Sequence, residues 1–369
     1  MKATASIVAL LALAACNHEK PFTSDGFGLD TTLTRGIDRQ LTYNLGTDRT
    51  PAWRADGGGL FYMFEDFGVS PRDRCLGELL PTGGTIRQVI CPETVESLDS
   101  LDTLYEPAPG PGGKLLYLRE ASPPDGITAI SSALVLADDA HPLAAITVQP
   151  YPYTSQNGKI HQGISNIRWL SPTRAVYLAE KVLYLSPCGP CPIDTVRTGI
   201  EAVEVDLSGP TPTTTIIPNT DEASSLAAGT GGDQIYFTRN GDTRVYQLVL
   251  STGAISIIHD FGPGMIARDA QVVGNQLFAI TGGRVSFEVD STLGSVQRDE
   301  GGTLRAVDLS TGNSFPMIVL ERFFRRPTAS PQGNRVVAEA FRATILPCGP
   351  TCADTTISKV ADLWLFDIP

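Results

Sequence analysis

The stretch "DRTPAWRADGGGLFYMFED", Asp48 to Asp66, decides how this chain folds. Pro51 and Trp53 lie in a short segment with no helical period, Asp56 to Gly59 carry turn chemistry, and Leu60 to Phe64 form an apolar run. The pattern is a strand, a tight turn and a second strand. The same phrase returns in "LYEPAPGPGGKLLYLRE" from Leu104, "ISNIRWLSPTRAVYLAE" from Ile164, "DEASSLAAGTGGDQIYFTR" from Asp221, "ARDAQVVGNQLFAI" from Ala267 and "RRPTASPQGNRVVAEAF" from Arg325. The six copies stand roughly 45 to 60 residues apart, the interval expected when each repeat is one small sheet of a β-propeller. Further strand-like runs follow the copies. In "RVYQLVLSTGAISIIHDF" from Arg244 and "GTLRAVDLSTGNSFPMIVL" from Gly302, the triplet STG turns one strand into the next. Each repeat therefore supplies four strands.

A twisted four-stranded sheet has two apolar faces and two edges, and stacking such sheets radially buries the faces while leaving only short edges. The expected fold is thus all-β: a six-bladed β-propeller of four-stranded antiparallel blades over residues 36–369, with Trp53 and Trp169 filling wedges between blades. The sixth repeat supplies only three strands before the chain ends in "DLWLFDIP", and "RQLTYNLG" stands unpaired before the first repeat. Arg39 to Gly46 is therefore expected to complete the last blade beside Ala361 to Ile368, closing the ring.

Pro51, Trp53, Asp56 and Gly57 resemble the x-P-x-W-S-P-D-G phrase of the TolB-type, WD40-like propeller repeat, with Arg54 and Ala55 in place of its Ser-Pro. The later repeats keep mainly the turn and the pattern. The resemblance implies the propeller fold and, as in TolB, a non-enzymatic role in binding an envelope protein or peptide. It departs from TolB in having no α/β domain before the propeller.

The amino terminus, "MKATASIVALLALAAC", has one basic residue, Lys2, and an apolar run from Ile7 to Ala15 too short to span a bilayer. It reads as a signal peptide over residues 1–15. "LAAC", Leu13 to Cys16, resembles the bacterial lipobox, which implies cleavage before Cys16 and lipidation of its sulfur; the alternative is plain cleavage at A-x-A. Residues 16–35, polar and without apolar period, then form a tether. Asn17, with no Asp after Cys16, points within that family to the periplasmic face of the outer membrane. The lipid is the expected membrane contact, and a monomer is the expected state.

Six further cysteines follow, and in an exported chain an even number suggests disulfides. The sequence-local pairs are Cys75 with Cys91, Cys188 with Cys191, and Cys348 with Cys352. Cys75 and Cys91 bound a hairpin that turns at "PTGG". "YLSPCGPCPIDTVRTGIEAVEVD" and "TILPCGPTCADTTISKVADLWLFD" align as strand, Cys loop and strand, so the other two pairs occupy equivalent places. A reactive Cys-x-x-Cys needs its first thiol at a helix N-terminus, and no helical period follows Cys188. Loop staples are the favoured reading, with a redox pair and a Cys₄ zinc site assembled from both loops as alternatives.

A net charge of -12 argues against nucleic acid as a partner. The chain has four histidines, His18, His141, His161 and His259, and it lacks a G-x-S-x-G elbow, an H-E-x-x-H, a Walker loop and a dinucleotide fingerprint. "RNGDTR", Arg239 to Arg244, reads as a hairpin turn, with a Ca²⁺ loop as the other possibility. Propellers bind ligands at the mouth of the central channel, among the segments entering the innermost strands. Those segments carry Arg49, Glu106, Asn166, Arg168, Asp221, Glu222, Arg268, Asp269, Arg325 and Arg326, a mixed-charge set suited to gripping a peptide or carboxylate across an aqueous funnel. No cofactor and no metal are required. The alternative is a metal-dependent hydrolase or lactonase, because gluconolactonase-like propellers hold one divalent ion with Glu, Asn and Asp in the same funnel, which singles out Glu106, Asn166 and Asp221. A thiol oxidoreductase is a third, weaker possibility. If the Cys188 and Cys191 bridge is structural, redox titration will place its potential below about -300 mV; a value near that of oxidoreductases, about -270 to -120 mV, would make the pair reactive.

Overall fold

The computed structural model describes residues 38–43, 46–65, 74–83, 88–91, 103–121, 131–154, 160–185, 194–282, 285–290, 294–299, 301–319, 322–349 and 352–368. Among these residues the regular structure is strand throughout, apart from one 3-10 turn at Pro111–Gly113. The strands form antiparallel sheets in which chain order is mostly spatial order, as successive hairpins require. One sheet runs Ala223–Ala228, Gln234–Arg239, Arg244–Val249, Ala254–Asp260, and another runs Ala267–Val273, Gln276–Thr281, Thr303–Asp308, Ser314–Met317. A third, of five strands, extends from Tyr153–Thr154 through Ile160–Ser171, Arg174–Leu185 and Asp194–Asp206 to Thr213–Ile216. The C-terminal sheet orders Arg39–Gln40 beside Cys352–Asp367, then Arg335–Gly349, then Arg322–Ala329.

These are four blades of a β-propeller. The six separate four-stranded blades expected from the repeats are not all separate: apart from a two-stranded hairpin, Val285–Asp290 with Gly294–Asp299, the remaining strands form one eight-stranded sheet. Its first half holds Thr47–Trp53, Leu60–Glu65, Arg74–Leu79 and Gln88–Ile90; its second holds Thr103–Pro109, Lys114–Ala121, Ser131–Asp138 and His141–Tyr151. The halves join at a single parallel pairing, Arg74 with Thr103. The reason is local. Gln88–Ile90 covers only Leu76 to Glu78, so the backbone at Arg74 is left open to the strand that enters at Thr103.

Apolar faces meet between successive units. Phe61, Met63 and Leu76 pack on Leu104, Leu115 and Tyr117, so a hydrophobic cluster separates the halves of the large sheet despite their bridge. Leu118 and Leu134 face Ile167 and Tyr177; Val176 and Leu178 face Phe237 and Leu248; Ala227 and Val245 face Val272 and Leu277; Phe278 and Leu304 face Phe324 and Phe366. Leu41, Trp53, Leu60 and Tyr62 pack on Val337, Leu363 and Leu365. Trp53 thus sits between the first strands of the chain and its last sheet, and Trp169 packs where the Thr103–Pro109 and Ile160–Ser171 strands meet.

At the ends of the chain, Arg39 pairs with Leu365 and Gln40 with Trp364, and the Leu41 amide donates to the Leu363 carbonyl at 2.7 Å. Cys75 and Cys91 form a disulfide with Cα atoms 4.5 Å apart, beside the paired Leu76 and Ile90. Cys348 is the last residue but one of its strand and Cys352 begins the next, at the tip of the long hairpin in which Gly349 pairs with Cys352. Cys188 and Cys191 lie outside the described residues, as do Cys16 and the leader.

Residues 362–369 contribute Leu363, Trp364, Leu365, Phe366 and Ile368, all buried. At about 1.5–3 kcal/mol for each buried side chain, their removal costs roughly 10 kcal/mol, comparable to the whole stability of an ordinary domain. Deleting Asp362 to Pro369 should therefore abolish cooperative unfolding in urea or by calorimetry; a truncated chain that melts as sharply as the parent would contradict this packing.

Candidate functional site

The innermost strands are Thr47–Trp53, Thr103–Pro109, Ile160–Ser171, Ala223–Ala228, Ala267–Val273 and Arg322–Ala329. Five share one irregularity. Their pairing shifts between Arg49 and Ala52, Tyr105 and Ala108, Ser165 and Arg168, Arg268 and Gln271, and Arg325 and Thr328. At the first residue of each bulge, Thr50, Glu106, Asn166, Asp269 and Arg326, φ is positive, between 47° and 54°. The second bulge position is Pro51, Pro107 and Pro327 in three of them. Proline suits it, because an unpaired bulge residue has no ladder hydrogen bond to lose. The Ala223–Ala228 strand differs: its shift falls between Ala223 and Ser225, and its left-handed residue, Glu222, lies just before the strand.

The bulges re-aim amides and side chains toward the axis. The Thr50 amide donates to Glu339 Oε1 at 2.7 Å, the Asn166 amide to Glu106 Oε2 at 3.3 Å, the Arg326 amide to Asp269 Oδ2 at 3.0 Å, and the Ala270 amide to Ser225 Oγ at 3.2 Å. Glu106 also accepts from Arg326 Nη1 across the channel. Glu339, 1 % exposed, faces Arg325 at 3.5 Å and Arg326 at 3.9 Å. Burial pulls the Arg326 guanidinium down, but Glu106, Glu339 and Asp269 together hold its pKa above the usual arginine value. Burial lowers that of Arg49, against Glu339, with Arg325 and Arg326 adding to the effect.

Of the residues expected at the channel mouth, Glu106, Asn166, Arg168, Asp269 and Arg326 converge with Thr50 and Gln271 on a waist. Its free volume is about 10 Å³, close to that of a single water, so the aqueous funnel expected at these residues is instead a packed ionic constriction. Arg268 is turned aside, donating to the carbonyls of Gly282 and Gly301. Asp221 and Glu222 are exposed and do not line the waist, because their strand lacks the common bulge. The trio Glu106, Asn166 and Asp221 is therefore not assembled, and the Glu106 carboxylate is already engaged by Arg326 and the Asn166 amide. Among the described residues, no group of three His, Cys, Asp or Glu side chains is placed to share a metal ion. The Asn240-Gly241 segment is a turn. Asp242 beside it accepts from Arg244 Nε and Nη2 at 2.9 Å and from the Tyr246 hydroxyl at 2.5 Å; the Arg244 bonds chiefly hold its pKa down at about 2.

Below the waist, where the innermost strands end, the channel widens into a cavity of about 360 Å³ lined by Trp53, Arg54, Ala108, Arg168, Trp169, Val272 and Thr328 among others. Both indoles are fixed by their N–H groups, Trp53 to the Thr328 carbonyl at 3.0 Å and Trp169 to that of Ala108 at 2.8 Å. Trp169 lies on Gly110 so closely that a Cβ there would come within 2.3 Å of the ring. Glu339, Gln271 and this cavity were not among the residues singled out by the sequence. Glu339 had a signal, a carboxylate in the middle of the apolar run "VVAEAF".

No protein-family model matches the sequence, and no curated protein sequence matches it. Solved structures do. Puromycin hydrolase is 16 % identical, with a TM-score of 0.50 over 87 % of this chain and 45 % of the hydrolase. The fold of that region is shared. TolB from Acinetobacter baumannii is 15 % identical, with a TM-score of 0.47 over 84 % of this chain and 64 % of TolB; a gluconolactonase of Xanthomonas campestris is 13 % identical, at 0.49 over 90 % of each. This chain thus spans less than two thirds of both TolB and the hydrolase. These neighbours are of mixed function and do not decide between a binding protein and a hydrolase; the β-propeller rests on the sheets described above.

The ionic waist carries a stability prediction. Glu339→Ala leaves the Thr50 amide without its acceptor and Arg325 without its buried counter-charge, and should lower the urea midpoint by the equivalent of about 3 kcal/mol at unchanged m. Glu339→Gln keeps an acceptor for Thr50 and should cost clearly less. Equal losses for both variants would show that the acceptor is not what matters.

Proposed function

We propose that this protein is a non-enzymatic binding module: a single six-bladed propeller, lipid-anchored through Cys16 at the periplasmic face of the outer membrane, that recognises an envelope protein or peptide at the mouths of its channel. The Arg326 and Glu106 contact at the waist carries this reading. A carboxylate held by a guanidinium is a poor metal ligand, and the constriction leaves no room for a substrate beside it. Recognition then falls to the two mouths.

Counting six blades treats the two halves of the eight-stranded sheet as separate blades, which the apolar cluster between them supports. Closure of the ring by Arg39 to Gly46 is supported by the pairing of Arg39 and Gln40, by the Leu41, Trp53 and Leu365 cluster and by the bond from Thr50 to Glu339. The pairs Cys188 with Cys191 and Cys348 with Cys352 serve in this reading as loop staples on matching hairpins. The protein acts as a monomer, with its lipid as the membrane contact.

A photo-crosslinking residue in place of Asp221, on the rim where the innermost strands begin, should capture one discrete envelope protein or peptide in cells, while the same residue at Ile257, on an outer strand, should not. Stoichiometric heat on titrating Ca²⁺, Mn²⁺ or Zn²⁺ into the chelator-stripped protein, with no discrete capture at Asp221, would replace this reading with the metal-dependent hydrolase.

A further inference from the structure

Two guanidinium groups line the wide mouth, and their surroundings differ. Arg54 is neutralised: its Nη1 lies 2.9 Å from Glu78, and its Nη2 contacts Asp139. Arg168 has polar partners of a different kind. Its Nη1 donates to its neighbour's carbonyl, Ile167 O, at 2.8 Å; the Gln271 amide lies against the other side of the guanidinium, and with its oxygen assigned toward Arg168, the orientation that satisfies both groups, it accepts from Nε at 3.3 Å and Nη2 at 3.1 Å. Both acceptors are uncharged. Among the described residues, no carboxylate lies within ion-pair distance of Arg168.

The nearest carboxylates are committed on the waist side, Glu106 to Arg326 and the Asn166 amide, Asp269 to the Arg326 amide. Burial lowers the Arg168 pKa, and Glu106 compensates only in part. A guanidinium that is desolvated, oriented by two neutral acceptors and still short of a counter-charge is organised to receive an anion. The walls around it combine alanine, valine, proline and the two immobilised indoles with the polar side chains of Thr230, Thr328 and Gln271. The volume, about 360 Å³, falls in the range of small-ligand sites.

We propose that the mouth where the innermost strands end binds a carboxylate attached to an apolar or aromatic group, the carboxylate on Arg168 and the apolar group against Trp53 and Trp169. A free aryl- or alkyl-carboxylate and the C-terminal residue of a peptide present the same chemistry. The proposal deepens the binding-module reading, resting on it for the use of the channel, but concerns the opposite mouth from the Asp221 rim.

Trp53 and Trp169 make intrinsic fluorescence a direct readout, since the chain's remaining tryptophan, Trp364, is buried elsewhere. Calorimetry and tryptophan emission should be followed while N-acetylphenylalanine, its carboxamide, a short peptide ending in free phenylalanine and the same peptide amidated are titrated into the full-length protein. At least one free acid should bind on the order of tenfold tighter than its amide. Arg168→Gln should remove that preference, and Arg168→Lys should restore part of it. Tighter binding of the peptide acid identifies a chain terminus as the source, and equal binding identifies a small molecule. Amide and acid of equal affinity, no binding by any probe at millimolar concentration, or a preference that survives Arg168→Gln would overturn the proposal. Failure of every carboxylate probe together with discrete capture at Asp221 would show that this site has failed while the module reading stands.

Discussion

A bulge in the middle of an innermost strand turns an amide out of its ladder and toward the axis, where little water is available to receive it. An unmade hydrogen bond there costs about 1–3 kcal/mol, and the left-handed conformation adds roughly 1–2 for a residue with a Cβ. Glycine at the bulge would avoid the second cost. The residues found are Thr50, Glu106, Asn166, Asp269 and Arg326, and two of these explain the choice. Glu106 and Asp269 each accept an amide from the bulge of the next sheet in the chain, Asn166 and Arg326. The strained residue supplies the acceptor that its neighbour's strain requires. Ser225 does the same for Ala270, and Glu339, in the last sheet, does it for Thr50 in the first.

The shape of the channel follows from this arrangement. Carboxylates that cap the next sheet's amides also collect the guanidinium groups nearby, so the waist fills with paired charge. A narrow, neutralised constriction separates two mouths with different chemistry. The end where the innermost strands begin keeps exposed acidic residues, Asp221 and Glu222; the other end is walled by indoles and small side chains, with one cation lacking a charged partner. Separate recognition at each end is compatible with such a structure, whereas passage through it is not.

Much of the fold was legible in the sequence because the repeat is a local pattern. A strand, a turn and an apolar strand are each set by neighbouring residues, and their recurrence located the innermost strands. The convergence of Glu106, Asn166, Arg168, Asp269 and Arg326 was readable for the same reason: four of them stand at one equivalent place in their repeats, and Arg168 lies two residues beyond Asn166. The Cys75 and Cys91 pair followed from its hairpin. What escaped the reading depended on register between strands. Asp221 and Glu222 align with Glu106 by position, but a bulge shifted by about two residues leaves them outside, and no residue of "DEASSLAA" announces the shift. The bridge between Arg74 and Thr103 depends on where a short strand stops, and the width of the waist depends on which guanidinium reaches which carboxylate.

The proline of the repeat phrase shows how far a sequence signal can be traced to its cause. Read as a sequence, Pro51, Pro107 and Pro327 argue against a central strand, since proline cannot donate to a ladder. In the structure each is the second residue of a bulge on the strand that lines the axis, with no neighbour on its inner side to receive a donor. Proline there fixes φ without losing a bond and limits the ladder shift to that point. Proline is not required for this placement, since Ile167 and Ala270 hold the same position in undisplaced bulges, whereas the Ala223–Ala228 strand, with Ser224 and Ser225, carries the one bulge that is displaced. The motif therefore marks where a sheet bends toward the channel, and it does so independently of whatever the channel binds.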